Sequence, residues 1–275
     1  MADITAAAVK SLREKTGLPM MECKEALKET GGDENAAQEL LRKRGLKTME
    51  SRVGRATEFG RMGVYVDFDK KQSAMVELLC ESAPVVANDD FKQLASDLAK
   101  QLATGPGAKT PEELLSQPSP SNPKQTLKTQ LDDLTNRIRE VFQVARIARI
   151  DGSAGGYAHH TGTNGVLVEL EGGNQQLAND ISMHVAAMRP DVVAIEELDP
   201  AVVAKEKEIL SEAARAEGKP ENIIGKMVEG RLRNYYAERV LNEQPYVKDD
   251  KQTVAKFAAA QGAKIRRFIH WKLGK

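Results

Sequence analysis

The chain has 275 residues, with 40 Lys and Arg against 40 Asp and Glu, 41% hydrophobic residues and 4% aromatic ones. That length allows one large domain or two or three small ones, with interior enough for a sizeable core. Zero net charge argues against a coat for nucleic acid or anionic membrane, and the few aromatics argue against rows of base-stacking platforms.

The start, Met1-Ala2-Asp3-Ile4-Thr5, lacks the basic and apolar regions of a signal peptide, and the expected location is the cytoplasm. Three short helices are expected over the first 45 residues. Thr5 can cap the first, with Ile4, Ala8, Val9 and Leu12 on one face and Gly17 ending it. Pro19 opens the second, which carries Met20, Cys23, Ala26 and Leu27; Met20, Met21 and Cys23 read as packing residues. Asp33 caps the third, which carries Ala36, Ala37, Leu40 and Leu41 and is expected to stop at Gly45. Residues 42–61 are basic: Arg42, Lys43, Arg44, Lys47, Arg52, Arg55 and Arg61 stand against Glu50 and Glu58. They read either as a solvated helix end and linker or as a contact for RNA or an acidic partner.

From Met62 the period becomes two. Met62, Val64, Val66 and Phe68 alternate with Gly63, Tyr65, Asp67 and Asp69; after a Lys70–Gln72 turn, Ala74, Val76, Leu78 and Cys80 alternate again, an antiparallel hairpin. A loop over 81–88 leads to a helix over about 89–103. Five prolines between Thr104 and Pro123 make an irregular connection with one helical turn at Pro111–Leu115. A helix with Leu127, Leu131, Leu134, Ile138 and Val141 follows, then an extended segment to about Ile150.

The pattern then returns: a second hairpin, 156–160 and 165–170, and a helix over 174–188. Val76-Glu77-Leu78 recurs as Val168-Glu169-Leu170, and Gln93-Leu94-Ala95-Ser96-Asp97 as Gln176-Leu177-Ala178-Asn179-Asp180. The core therefore reads as a duplicated hairpin-plus-helix unit whose first copy carries nine extra residues at 81–90, a good place to look for function. Residues 199–243 read as a helical hairpin. The end is an extended Gln244–Val247, a helix near Val254–Ala260 and a strand in which Ile265, Arg267, Ile269 and Trp271 alternate.

Enzyme motifs are missing: there is no Walker-type phosphate loop, dinucleotide fingerprint, Gly-x-Ser-x-Gly elbow or His-Glu-x-x-His. Cys23 and Cys80 cannot build a disulfide framework. His159 and His160 with His184 make a weak metal set, since neighbours in a strand point to opposite faces, and Cys80 with His184 is an equally weak nucleophilic pair. No cofactor or metal is expected. No run of about 18 apolar residues exists, so no membrane span is expected either. A binding protein is the expected class, against two rivals: an RNA- or ribosome-associated module using the basic stretch, or a metal enzyme or hydrolase using the histidines and Cys80.

The stretch from Thr5 through Val9-Lys10 and Leu12-Arg13-Glu14-Lys15-Thr16-Gly17 to Pro19-Met20-Met21-Glu22-Cys23-Lys24-Glu25-Ala26-Leu27 resembles the amino-terminal signature of bacterial elongation factor Ts. The resemblance continues through Tyr157-Ala158-His159-His160, Gly165–Val168, Met183–Ala187, Lys226–Arg231 and Gln244–Val247, in order along nearly the whole chain. It implies an α+β fold: a three-helix ubiquitin-associated-like domain (1–46), a basic connector (47–61), and two related core units of antiparallel sheets with flanking helices (62–150 and 151–275). The helical hairpin 199–243 lies in the second unit and can serve in homodimerisation. An extra carboxy-terminal helical module of some members is expected to be missing. The implied function is guanine-nucleotide exchange on the translation GTPase elongation factor Tu, with no nucleotide held by the exchange factor itself.

The family directs a Thr-Asp-Phe-Val segment toward the partner's magnesium site. Here the corresponding residues are Ser82-Ala83-Pro84-Val85, so Ala83 and Pro84 replace the acidic and aromatic residues. The expectation is that the apolar Pro84-Val85-Val86 surface displaces a switch element of the partner. Lys24, Ile138 with Arg139, His159, Met227 and Val228 match further family contact positions; the family often has Gly where Arg139 stands.

Overall fold

The computed structural model describes residues 4–50 and 54–274. The Thr5 hydroxyl accepts the Ala8 N–H at 3.2 Å and starts α1 (Ala6–Thr16), which Gly17 ends at φ +67°. Helix α2 (Met20–Glu29) follows Pro19, and Asp33 caps α3 (Glu34–Glu50) by accepting from the Asn35 and Ala36 N–H groups. Val9, Leu12, Cys23, Leu27, Ala37 and Leu41 close one apolar cluster between the three helices. Met20 and Met21 do not join it. They are 51% and 63% exposed, because the α2 face that packs is the one bearing Cys23, Ala26 and Leu27.

Two three-stranded antiparallel sheets build the rest. Strands β1 (Phe59–Asp67), β2 (Gln72–Cys80) and β3 (Phe142–Ile150) form the first, with β2 in the middle. Between β2 and β3 the chain makes α4 (Asp89–Thr104), α5 (Pro111–Leu115) and α6 (Leu127–Ile138). Val141 lies beyond the end of α6 rather than on it. Strands β4 (Ala154–Ala158) and β5 (Asn164–Gly172) are followed by α7 (Gln175–Met188), then by the hairpin α8 (Pro200–Ala216) and α9 (Glu221–Arg239). A short ribbon of β6 (Pro245–Tyr246) and β7 (Asp249–Thr253), helix α10 (Val254–Ala260) and β8 (Ala263–Lys272) complete the fold; β8 joins β4 and β5.

The layers run helix, sheet, sheet, helix. Ala74, Val76, Leu78 and Cys80 point to Phe91, Leu94 and Leu98 of α4. From the opposite face Met75, Val64 and Val66 meet Leu167, Ile269 and Trp271 of the second sheet. Val166, Val168 and Leu170 then pack on Leu177, Ile181 and Val185 of α7. Central β2 is buried on both faces, which explains its nearly unbroken apolar run.

The two sheets share several details. Each is interrupted by a one-residue bulge at the same motif, between Glu77 and Leu78 and between Glu169 and Leu170. Each of these glutamates pairs across the sheet with an arginine, Glu77 with Arg146 and Glu169 with Arg267, both at 2.6 Å. Added Cβ atoms at Gly63 and Gly155 would run into the backbone of Ala95 and Ala178, so glycine lets each hairpin approach its covering helix. The pairs Gln93–Asp97 and Gln176–Asp180 repeat as side-chain hydrogen bonds of 3.0 and 2.9 Å.

Three further expectations change. Helix α3 does not stop at Gly45 but runs to Glu50. A Cβ there would overlap Asn136 Oδ1, so this glycine serves the close approach of α3 to α6 rather than helix termination. The bulge leaves Arg266 out of the cross-strand register and shifts the phase of β8: Ile265 faces α7, whereas Ile269 and Trp271 face the first sheet. His159 and His160 lie in the turn after β4, not in a strand, with ring centroids 4.1 Å apart. In the hairpin, Leu210, Ala214, Ile224 and Val228 form the small core; Met227 is half-buried and Ile223 is exposed. Arg52 of the basic stretch lies outside the described residues.

Candidate partner-binding site

The loop after β2 is a single 3-10 turn, Ala83–Ala87, with Pro84 in its first turn. Ser82 in front of it is tied down twice by Glu140, which accepts from the Ser82 N–H at 3.1 Å and from the Ser82 hydroxyl. In return Glu81 accepts the Val141 N–H at 2.7 Å, and its other oxygen pairs with Arg55 at 3.1 Å. Val85 drops into the core against α4 at 9% exposure, and Val86 packs beside it. The expected Pro84-Val85-Val86 surface is therefore not offered: the apolar side chains turn inward, and Ala83 and Pro84 alone of the four motif residues are exposed.

Contacts spread from this loop in two directions. Next to Glu140, Arg139 ends α6 in the left-handed conformation at φ +64° and reaches Glu22 of α2 at 2.6 Å. Two residues on in α2, and so about half a turn round the helix from Glu22, Lys24 is exposed, and Met20 and Met21 stand bare at the helix start. Ile138 is half-buried against the α4 side of the first sheet. On the other side of the loop, the Arg61 guanidinium donates to Val86 O at 3.0 Å. Gly162 at φ +78° packs on Arg61 and accepts the Met62 N–H at 2.8 Å. Gly162 belongs to the turn that presents His159, whose Nδ1 meets Thr161 Oγ1 at 2.7 Å.

Ser82-Ala83-Pro84, Ile138 and His159 are thus linked by a chain of contacts through Arg139, Glu140, Arg61 and Gly162, which reaches α2 at Glu22; Lys24 lies on the same helix but outside that chain. Met227 and Val228 are not part of it; they sit in the α8–α9 hairpin, and Val228 is buried there. Sequence reasoning singled out Arg139 and placed Arg61 in the basic stretch, but it missed Glu22, Glu140 and Gly162 and the exposure of Met20 and Met21. Glu140 directly follows the Ile138-Arg139 pair and could have been noticed for that reason; Arg61 had no signal beyond its charge.

The basic stretch is largely engaged within the molecule. Lys43 pairs with Glu39 at 2.7 Å, Arg44 with Glu29 at 2.6 Å, and Arg55 and Arg61 hold the loop as described. The groups considered for covalent chemistry are set in other roles. Burial, reinforced by the Glu140 carboxylate, pushes the Cys80 thiol up to about 11, far from a reactive thiolate. His184 is fully buried, its Nε2 bonded to Gln244 Oε1 at 2.9 Å and its Nδ1 accepting the Val247 N–H at 3.2 Å, and burial holds its pKa below the usual imidazole value. Along this surface stand an exposed lysine, two exposed methionines, the exposed Ala83–Pro84 tip and a half-buried turn histidine. No helix among the described residues is long and apolar enough to cross a membrane.

A family model described as elongation factor TS matches residues 81–275. The chain is 44% identical to elongation factor Ts of Methylococcus capsulatus, over 99% of this chain and 92% of that relative. The chain belongs to the elongation factor Ts family. It is also 41% identical to elongation factor Ts of Alkalilimnicola ehrlichii, over 99% of this chain and 92% of that protein. With that of Aquifex aeolicus the identity is 38%, over 97% and 96% of the two chains. Membership places the protein among translation elongation factors, and the α+β architecture with antiparallel sheets agrees with it.

Proposed function

We propose that this protein is a guanine-nucleotide exchange factor for elongation factor Tu, acting without covalent catalysis in the cytoplasm. It speeds GDP release by disturbing the GTPase's magnesium and phosphate site. The thermodynamic basis is linkage: a partner that binds the empty GTPase more tightly than the GDP-bound one weakens GDP by the same coupling free energy. The observation that carries this reading is the contact chain, which gathers positions matched to family contacts from distant parts of the sequence around one exposed tip.

Ala83 and Pro84 bring neither carboxylate nor aromatic ring, so the tip acts by occupying space. Proline narrows the conformations of the loop, and the buried Val85 prevents it from folding back. Lys24, Met20 and Met21 dock the three-helix domain on the partner, and His159 extends the surface past the loop. We read that domain as ubiquitin-associated-like and ending with α3, and the two core units as copies of one ancestral element. The matching bulges, Glu–Arg pairs and glycine contacts support this descent. Met227 acts through the hairpin, where exposed Val202, Ile209 and Ile223 suit self-association into a dimer.

The direct test is release of a fluorescent GDP from the cognate GTPase. Pro84→Gly is expected to lower the maximal rate about three- to tenfold by loosening the tip, and Lys24→Ala to raise the half-saturating concentration. Unchanged kinetics in both variants would remove the reading.

A further inference from the structure

The two ends of the exposed tip are held by residues far away in the chain. Before it, the pairs 81–82 and 140–141 grip each other reciprocally: Glu81 takes the Val141 N–H, while Glu140 takes both the N–H and the hydroxyl of Ser82. The Cys80 thiol adds a bond to Ser82 O at 3.3 Å. After the tip, Arg61 holds Val86 O and Val85 is sunk in the core. Between these anchors, Ala83 and Pro84 carry no polar side-chain atom. A tip that cannot form side-chain hydrogen bonds to its target can act only through where it stands.

We propose that Glu140 is a positioning residue for nucleotide exchange: its two-oxygen grip on Ser82 holds the Ala83–Pro84 tip rigidly enough to displace the partner's nucleotide-site element instead of yielding to it. This rests on the exchange reading above. A tip with an ångström of slack relaxes when it meets the partner, and its contacts then no longer distinguish the empty GTPase from the GDP-bound one. The docking surface around Lys24 is not altered by such slack. Loss of the grip therefore lowers the maximal rate of GDP release while leaving binding nearly intact.

Glu140→Leu keeps the bulk and removes both acceptors; Glu140→Gln keeps one oxygen for the Ser82 N–H and an amide that can bond the hydroxyl. With the full chain, Glu140→Leu is expected to cut the maximal GDP-release rate about tenfold with the half-saturating concentration within about twofold, and Glu140→Gln to recover most of the rate. Without any partner present, hydrogen exchange at the Val85 and Val86 amides is expected to quicken about tenfold in the Leu variant. An unchanged maximal rate, a change confined to half-saturation, or unchanged amide exchange would each overturn the proposal. Should Glu140→Leu fail to fold, Ser82→Ala removes the hydroxyl bond alone and must show the same pattern at smaller size. Should the unaltered chain fail to speed GDP release from the GTPase at all, the exchange reading falls, and the amide-exchange measurement still decides whether the grip exists.

Discussion

Pro84 and Val85 are chain neighbours with opposite fates: the proline is exposed and the valine packs on α4. Both are apolar, and composition could not separate them; the direction of the 3-10 turn over the core does. Arg139 makes a similar point. Its left-handed φ of +64° is the conformation glycine adopts most easily at a helix C-terminus. Here an arginine accepts the geometry and gains Glu22 as partner. At Cys80, burial is the deciding effect. With a pKa of about 11, the thiolate fraction at pH 8 is about one in a thousand. Iodoacetamide at that pH should leave Cys80 unmodified in the folded chain yet label it fully in urea, as read by mass spectrometry. Rapid labelling of Cys80 in the native protein would contradict the assigned environment.

At the scale of elements, hydrophobic period located most helices and strands, because a 3.6-residue or two-residue repeat is a local property. It failed where a tertiary neighbour decided. Gly45 reads as a helix end in isolation, but α6 lies against it and the helix continues. Two terms compete if a side chain is added: alanine gains up to about 1 kcal/mol of helix propensity, while overpacking costs about 1–3 kcal/mol. Gly45→Ala is therefore expected to lower stability in urea unfolding. In an Asn136→Ala background the obstruction is gone, and the same substitution should stabilise. An equal effect in both backgrounds would show that α3 and α6 do not meet there. The bulge in β8 is a second such case: one extra residue exchanges the faces of Ile265 and Ile269, and nothing in the apolar alternation marks it.

For the whole molecule, the local charge excesses are partly matched inside the fold. Residues 151–199 hold eight acidic residues against one basic, and 244–275 hold eight basic against two acidic. Taken alone, such blocks suggest separate docking patches. In the fold three pairs join them: Arg266 with Glu171, Arg267 with Glu169 and Lys248 with Asp180. The same region holds the buried His184, joining α7 to the segment that leaves α9 through Gln244 and Val247. Burial lowers the pKa of His184 and, with Arg189 nearby, that of His270. The folded state then takes up a proton less readily than the unfolded chain. Stability from these groups is complete above about pH 6.5 and is lost as pH falls through their lower folded-state values. Urea midpoints should hold steady above neutrality and drop toward pH 5.5. His184→Gln should lower the midpoint everywhere but flatten the acid slope; an unchanged slope would exclude His184 as a source. Sequence alone determined the family, the hairpin-and-helix order and the place of the loop, because these reside in short motifs and local periodicity. Tertiary structure alone decided which loop residues face out, which charges cancel, and which distant residues hold the tip, because burial and pairing depend on neighbours that the chain brings together only when folded.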